Sequence, residues 1–279
     1  MKKSFLAMLG LAVSLVFTGC GGDSGGNEPA ANTGGDAKLE ATVKIGATPV
    51  PHAEILEEIK SDLKEKGVTL EIVEFNDYVQ PNIALNDGEL DANFFQHEPY
   101  LNDFVKEHTE MKLKNAGGVH VEPMGIYSSK IQKLEDVPFG GKVSIPNDAT
   151  NGGRALLLLD KAGLITLREG VGEMATVQDI ISNNNDLQIQ EIEAAQLPRT
   201  LDDVDISVIN TNFAMNANLN PVNDALFMED KTSPYVNIVT VRDGDENRPE
   251  IQALIKTLQS DKVKNFINEK YKGAIVPAF

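Results

Sequence analysis

Residues 43–75 read VKIGATPVPHAEILEEIKSDLKEKGVTLEIVEF, and this stretch decides the class of fold. Val43 to Ala47 is a short apolar run that ends in a Pro-rich turn, Thr48-Pro49-Val50-Pro51, so it reads as a strand. Ile55, Leu56, Ile59 and Leu63 then recur at the spacing of one helical face, and Gly67 supplies the stop. Val68 to Phe75 alternates as a strand does. Beyond it a helical stretch surrounds Ile83, and Asp91 to Phe95 forms a third strand. Strand, helix, strand, helix, strand is the order of a parallel α/β sheet.

The middle of the chain repeats that logic. Met124 to Ser128 and Lys142 to Ile145 read as strands, and Asn151 to Ala162 as a helix with Leu156 to Leu159 buried. Thr176-Val177-Gln178-Asp179 has capping-box spacing ahead of Ile180 and Ile181. Leu187 to Ile192, Ile206 to Ile209 and Tyr235 to Val241 are further strands. Two helices close the chain, one carrying Ile251, Leu254, Ile255 and Leu258, the other Val263, Phe266, Ile267 and Tyr271, with Gly273 as its stop. Periodicity of this kind fits a two-lobed receptor and an α/β enzyme equally well.

The N-terminus opens with Lys2 and Lys3, runs through an apolar stretch from Phe5 to Phe17, and ends in Phe17-Thr18-Gly19-Cys20. A basic start and about a dozen apolar residues describe an export signal; a membrane-spanning helix needs about 20. Cys20, the only cysteine, follows Thr-Gly in a way that resembles a bacterial lipobox, with Phe17 where that motif usually carries Leu. In a lipobox the cysteine is acylated and the signal is cut away before it. Gly21 to Asp36 is Gly-rich and polar without apolar periodicity, as a flexible tether is. The expected organisation is a signal at 1–20 and a tether at 21–41 ahead of a folded body.

The formal charge is −17, and loss of Lys2 and Lys3 with the signal makes it more negative by two. That excludes nucleic acid as a natural partner, since binding to it needs basic patches. From Val43 onward no GxSxG elbow and no phosphate-binding Gly-x4-Gly-Lys-[Ser/Thr] occur. The four histidines, His52, His97, His108 and His120, lack metal-ligand spacing, so a zinc site would need distant parts of the chain to meet. No cofactor is implied.

Three segments are rich in side chains that line pockets. Asn93-Phe94-Phe95-Gln96-His97-Glu98-Pro99-Tyr100, preceded by Phe75 and Tyr78, spans a strand end and a helix start, where open α/β sheets place ligand residues. Ile145 to Arg154 (IPNDATNGGR) is a strand end, a polar turn and an Arg early in a helix, a setting that favours anions. Glu229 to Asn237 (EDKTSPYVN), with Val208-Ile209-Asn210-Thr211-Asn212 before it, is the third. Phe94 and Phe95 point to opposite faces if both lie on a strand; Phe95 is the pocket candidate.

At these residues the chain closely resembles the NlpA/MetQ family of methionine-binding lipoproteins, the substrate receptors of a bacterial methionine ABC importer. The blocks ANFFQHEPYLN, EPMGIYS, IPNDATNGGRALLLL and ALFMEDKTSPYVNIV occur in the family's order, and the resemblance covers Val43 to Phe279. It implies a type 2 periplasmic-binding-protein fold, two α/β lobes around a ligand cleft, with 42–121 the first part of one lobe, 122–221 the second lobe, and 222–279 the rest of the first. It also implies Arg154 on the ligand α-carboxylate through a bidentate fork, and Asn210 and Asn237 on the amino and carboxylate ends. Tyr78, Phe95, His97 and Tyr100 would wall the thioether chain. His97 has a plainer role open to it as a helix cap, and Asn212 could replace Asn210.

The implied protein is not an enzyme: it captures L-methionine, is lipid-anchored on the extracytoplasmic face of the cell membrane, and delivers to a permease with a separate ATPase. D-methionine, a dipeptide such as Gly-Met, or another small amino acid would suit the same scaffold. A membrane-tethered α/β enzyme and a surface interaction protein with a vestigial cleft are the competing classes. Cys20→Ser is expected to move the protein from the membrane to the soluble fraction; a variant that still sediments with membrane is held there by something else.

Overall fold

The computed structural model describes residues 39–279, so the signal, the lipobox cysteine Cys20 and most of the tether lie outside the described residues. The first half runs β1 (Ala41–Ala47), a turn through Pro49–Ala53, α1 (Glu54–Glu65), β2 (Val68–Glu74), α2 (Gln80–Asn86), β3 (Ala92–His97), α3 (Glu98–Glu107) and β4 (Leu113–Val121). The α1 face predicted from the periodicity is the one that packs: Ile55, Leu56, Ile59 and Leu63 are fully buried against Val43, Ile45 and Phe94.

A second set comes next: β5 (Gly125–Tyr127), β6 (Lys142–Pro146), α4 (Ala149–Lys161), β7 (Thr166–Leu167), β8 (Ile180–Ser182), β9 (Gln188–Ile192), β10 (Ile206–Ile209), α5 (Thr211–Asn216), α6 (Pro221–Asp224) and β11 (Phe227–Met228). The chain ends with β12 (Val236–Arg242), α7 (Pro249–Leu258), α8 (Asp261–Tyr271) and β13 (Val276–Pro277). Among the described residues no helix is long and apolar enough to cross a membrane.

These strands make two main sheets. The six-stranded one has the order β13-β4-β12-β3-β1-β2 and the five-stranded one β11-β5-β10-β6-β9. β2, β1 and β3 are parallel, as are β10, β6 and β9, while β12 runs antiparallel to both β3 and β4. The chain leaves the first sheet between β4 and β5, at Glu122 to Met124, and returns between β11 and β12, at Glu229 to Tyr235. β11 pairs with β5, in a segment that the family resemblance assigns to the first lobe. Two residues are too few to show any period. Each sheet carries its own apolar core, one under α1, α7 and α8, the other under α4.

Two elements depart from the expectation. Thr176 N–H does donate to the Asp179 carboxylate at 2.9 Å, as in a capping box, but the box closes one turn and Ile180–Ser182 continues as strand β8. Two β-branched residues ahead of three asparagines cannot sustain a helix. β4 has no periodic signature because Gly117 and Gly118 interrupt its pattern; the strand is bulged there against β12.

Gly153 shows how tightly α4 is held. A Cβ there would run into the backbone carbonyl of Glu173 and the backbone N of Ala175. Gly153→Ala is expected to destabilise the fold by about 1–3 kcal/mol, the usual range for overpacking, read as a lowered melting temperature. An unchanged transition would show that the 172–175 turn moves away freely.

Candidate functional site

A cavity lies between the two sheets, lined by Tyr78, Phe95, Gln96, His97 and Tyr100, by Glu122, and by Asn151, Arg154, Asn210, Thr211, Asn212 and Asn237. All seven residues expected from the sequence meet there. Phe95 faces this side of β3 while Phe94 is buried in the core beneath α1, as strand alternation requires.

Arg154 is the buried cation of the site. Its Nε and Nη2 donate to the Glu229 carboxylate at 2.8 and 2.5 Å, and Nη2 also donates to the Glu122 carbonyl at 2.7 Å. The guanidinium lies 4.1 Å from the Tyr235 ring centre, a cation–π stack. The bidentate edge expected to grip a ligand is therefore occupied by Glu229, and Nη1 is the nitrogen without a hydrogen-bond partner among the described residues. Sequence could not show this, because Glu229 is far along the chain. The helix start differs too. α4 begins at Ala149, which puts Arg154 in its second turn, and Asp148 caps the N-terminus by accepting from Asn151 N–H at 2.9 Å.

Asn151 ties the two sheets together. Its Nδ2 donates to Asp148, and its Oδ1 accepts from Asn210 Nδ2 at 2.8 Å and from His97 Nε2 at 3.1 Å. His97 Nδ1 accepts the Tyr100 backbone N–H at 3.1 Å, so His97 caps α3 and must carry its proton on Nε2. Both of its ring nitrogens are thus used within the protein, and it gives a ligand only its ring face. Asn210 Oδ1 is buried with no partner, an acceptor turned into the cavity wall.

Asn237 Oδ1 lies 3.0 Å from His52 Nε2. His52 Nδ1 is 2.6 Å from the Thr48 hydroxyl, and Glu122 Oε1 lies 3.3 Å from Nε2, off the line of the hydrogen bond to Asn237. With acceptors on that side, Nε2 holds the proton, and the Asn237 amide is fixed with its NH2 free for the cavity. Glu122 is a site residue that sequence reasoning misses, although it opens the EPMGIYS block. It is the one carboxylate lining the cavity, its Oε2 accepting from Asn212 N–H at 3.1 Å. Burial pushes its carboxyl up, while His52, Arg154 and the Asn212 N–H pull it back. His52 Nε2, His120 Nε2 and Glu122 Oε1 lie close enough to share a metal ion, but the 2.8 Å separation of His120 Nε2 from Oε1 is a hydrogen bond.

The opposite wall is aromatic. Tyr78 packs at 5.9 Å from Phe95, 5.8 Å from Tyr100 and 4.8 Å from Phe213 between ring centres. Tyr78 OH donates to Asn212 Oδ1 at 2.6 Å, and Tyr100 OH to the Tyr78 carbonyl at 2.9 Å. Burial pushes both phenols well above their ordinary range, so they stay neutral. One end of the cavity is therefore polar with donors and acceptors, the other a ring-lined wall.

Two α/β sheets, two chain crossings and an enclosed polar–apolar cavity define a type 2 periplasmic-binding-protein fold. The chain belongs to the NlpA lipoprotein family, whose model matches residues 43–279. Methionine-binding lipoprotein MetQ of Bacillus subtilis is 42% identical over 99% of this chain and 99% of its own length. D-methionine-binding lipoprotein MetQ of Escherichia coli K12 is 40% identical over 98% and 97%. A nutrient binding protein from Burkholderia cenocepacia, solved bound to methionine, superposes with a TM-score of 0.82 at 46% identity, covering 85% of this chain and 100% of that one. The relatives are named as binding proteins, not enzymes.

Burial lowers His52 to about 4 and His97 and His120 to about 3, with the Arg154 charge adding to the effect at His97. The unfolded chain protonates these rings below about 6.5 while the folded protein refuses the protons. Their contribution is therefore complete above that pH and is lost as pH falls toward 4. Glu122 and Asp148, pushed up by burial, act in the opposite sense. His97→Gln is expected to flatten the fall in unfolding free energy between pH 6.5 and 4 by up to one proton, about 1.4 kcal/mol per pH unit. An unaltered slope in denaturant titrations would mean that His97 is not held neutral.

Proposed function

We propose that this protein is a lipid-anchored receptor that captures L-methionine between its two sheets and hands it to an ABC importer, whose permease and ATPase are separate subunits. The carrying observation is the set of ligand-directed groups at the polar end of the cavity. Arg154 Nη1 and the Asn237 NH2 are donors for an α-carboxylate. Glu122 and the unpartnered Asn210 Oδ1 are acceptors for an α-ammonium. The ring wall of Tyr78, Phe95, His97 and Tyr100 suits a thioether, since sulfur–aromatic contacts are favourable.

Magnitudes require both ends. Burying a methionine-sized side chain gives roughly 1.5–3 kcal/mol, whereas micromolar binding needs about 8 kcal/mol. Charge-assisted hydrogen bonds to the zwitterion supply the difference. The two sheets are read as two lobes, residues 42–121 and 236–279 forming one and 124–228 the other, so the crossings at Glu122 and at Glu229 to Tyr235 run beside the cavity. Lipid on Cys20 would keep the receptor beside its permease on the outer face of the cell membrane.

Calorimetric titration with L-methionine, after unfolding and refolding to strip carried-over ligand, is expected to give saturable 1:1 binding. Arg154→Ala is expected to abolish it. That variant also leaves Glu229 without its cation, so its melting temperature falls and titration belongs well below it. Wild-type affinity in Arg154→Ala would remove Arg154 from the site. Tighter binding of D-methionine, Gly-Met or another amino acid in the same titration would reassign the ligand.

A further inference from the structure

Behind the cavity wall, outside its lining, two histidines from distant parts of the chain meet over one ring. His52, in the turn after β1, and His120, on β4, are fully buried, with ring centres 5.1 Å apart. Each packs edge-on to Phe94, at 4.6 and 5.4 Å. The β12 register sets His120 directly opposite Asn237. Both Nε2 atoms approach Glu122 Oε1, His120 at 2.8 Å and His52 at 3.3 Å.

The hydrogen bonds specify the protonation of this pair. His120 Nδ1 has no partner. An imidazolium there would bury a charged N–H with no acceptor, whereas the neutral ring with its proton on Nε2 leaves only a lone pair unmatched. His52 accepts from Thr48 at Nδ1 and has the Asn237 Oδ1 acceptor at Nε2, which assigns the same tautomer. Glu122 Oε1 thus receives the His120 N–H, and Oε2 receives the Asn212 N–H. A carboxylate taken into a buried wall is stable only when its lone pairs are satisfied in this way.

We propose that His120 and His52 are positioning residues, two neutral imidazoles that divide the work at the cavity wall: His120 Nε2–H donates to Glu122 and holds it as an ionised carboxylate, which sets the site's demand for a free α-ammonium. His52 Nε2–H donates to Asn237 Oδ1 and orients that amide toward the ligand carboxylate. The inference rests on the reading of the cavity as a zwitterion site with Glu122 at the ammonium end.

The readout is a ratio of affinities. L-methionine and 4-(methylthio)butanoate, its analogue without the amino group, are titrated into wild type, His120→Phe and His120→Gln. Wild type is expected to favour methionine by at least about 100-fold, as two lost charge-assisted hydrogen bonds imply. His120→Phe is expected to cut that ratio at least tenfold by weakening methionine alone, and His120→Gln, which keeps an N–H donor, to restore much of it. Equal weakening of both ligands would reduce His120 to a packing role and overturn the proposal. A wild type that binds neither compound would instead sink the zwitterion reading itself.

If His120→Phe does not fold, nitrogen-15 NMR of the wild-type imidazoles decides the matter. Two neutral rings with protons on Nε2 at pH 7 are expected. An imidazolium, or a proton on Nδ1 of His120, would overturn the assignment.

Discussion

A guanidinium buried between two sheets is the constraint around which this molecule is arranged. Arg154 is only 3% exposed, and a charge so placed must be paired and hydrogen-bonded. Its partners come from both chain crossings: the Glu122 carbonyl from the first, and Glu229 and the Tyr235 ring from the second. One side chain on α4 therefore ties down the two segments that join the sheets. With one edge and one face of the guanidinium committed, a single nitrogen remains for a ligand. Tight glycine packing at Gly153 brings α4 close enough to its neighbours for this.

The same economy of donors and acceptors runs through the rest of the wall. Asn151 serves Asp148, Asn210 and His97 at once, and His97 serves α3 and Asn151. His52 serves Thr48 and Asn237. Each protein–protein hydrogen bond consumes one side of a group and directs its other side. The amides are thereby fixed in orientation before any ligand arrives, and preorganised polar groups lose little freedom on binding.

Much of the fold is legible because apolar residues repeat at the period of the element they form. Ile206–Ile209, the α1 face and the two final helices are placed by that signal. The elements that escape it, β4 and β11, are a strand broken by Gly117-Gly118 and one of two residues; neither carries enough periodic positions to register. Ile180–Ser182 is a strand behind a helix-start signal, because a capping box is local and constrains only its own first turn. Of the site, Arg154, Asn210, Asn237 and the aromatic residues stand out by type and by their place at strand ends. Asn151 and Glu229 lie within the pocket-rich segments and Glu122 opens a family block, but none is singled out there, since a Glu or Asn in a connecting turn looks like any turn residue.

The sequence by itself determined the α/β class, the export signal with its lone cysteine, the pocket-rich segments and the family blocks, all of which are local patterns readable within a few tens of residues. Only the tertiary structure decided which edge of Arg154 is occupied, that His97 reaches Asn151, that Asn210 keeps an unmatched acceptor, and that His52 holds the Asn237 amide. Glu229, Asn151 and Asn237, the partners of Arg154, His97 and His52 in turn, lie 54 to 185 residues away from them in the chain. Sequence spacing holds no record of such partners, because their meeting is set by how two sheets pack and by the need to satisfy every buried polar group at once.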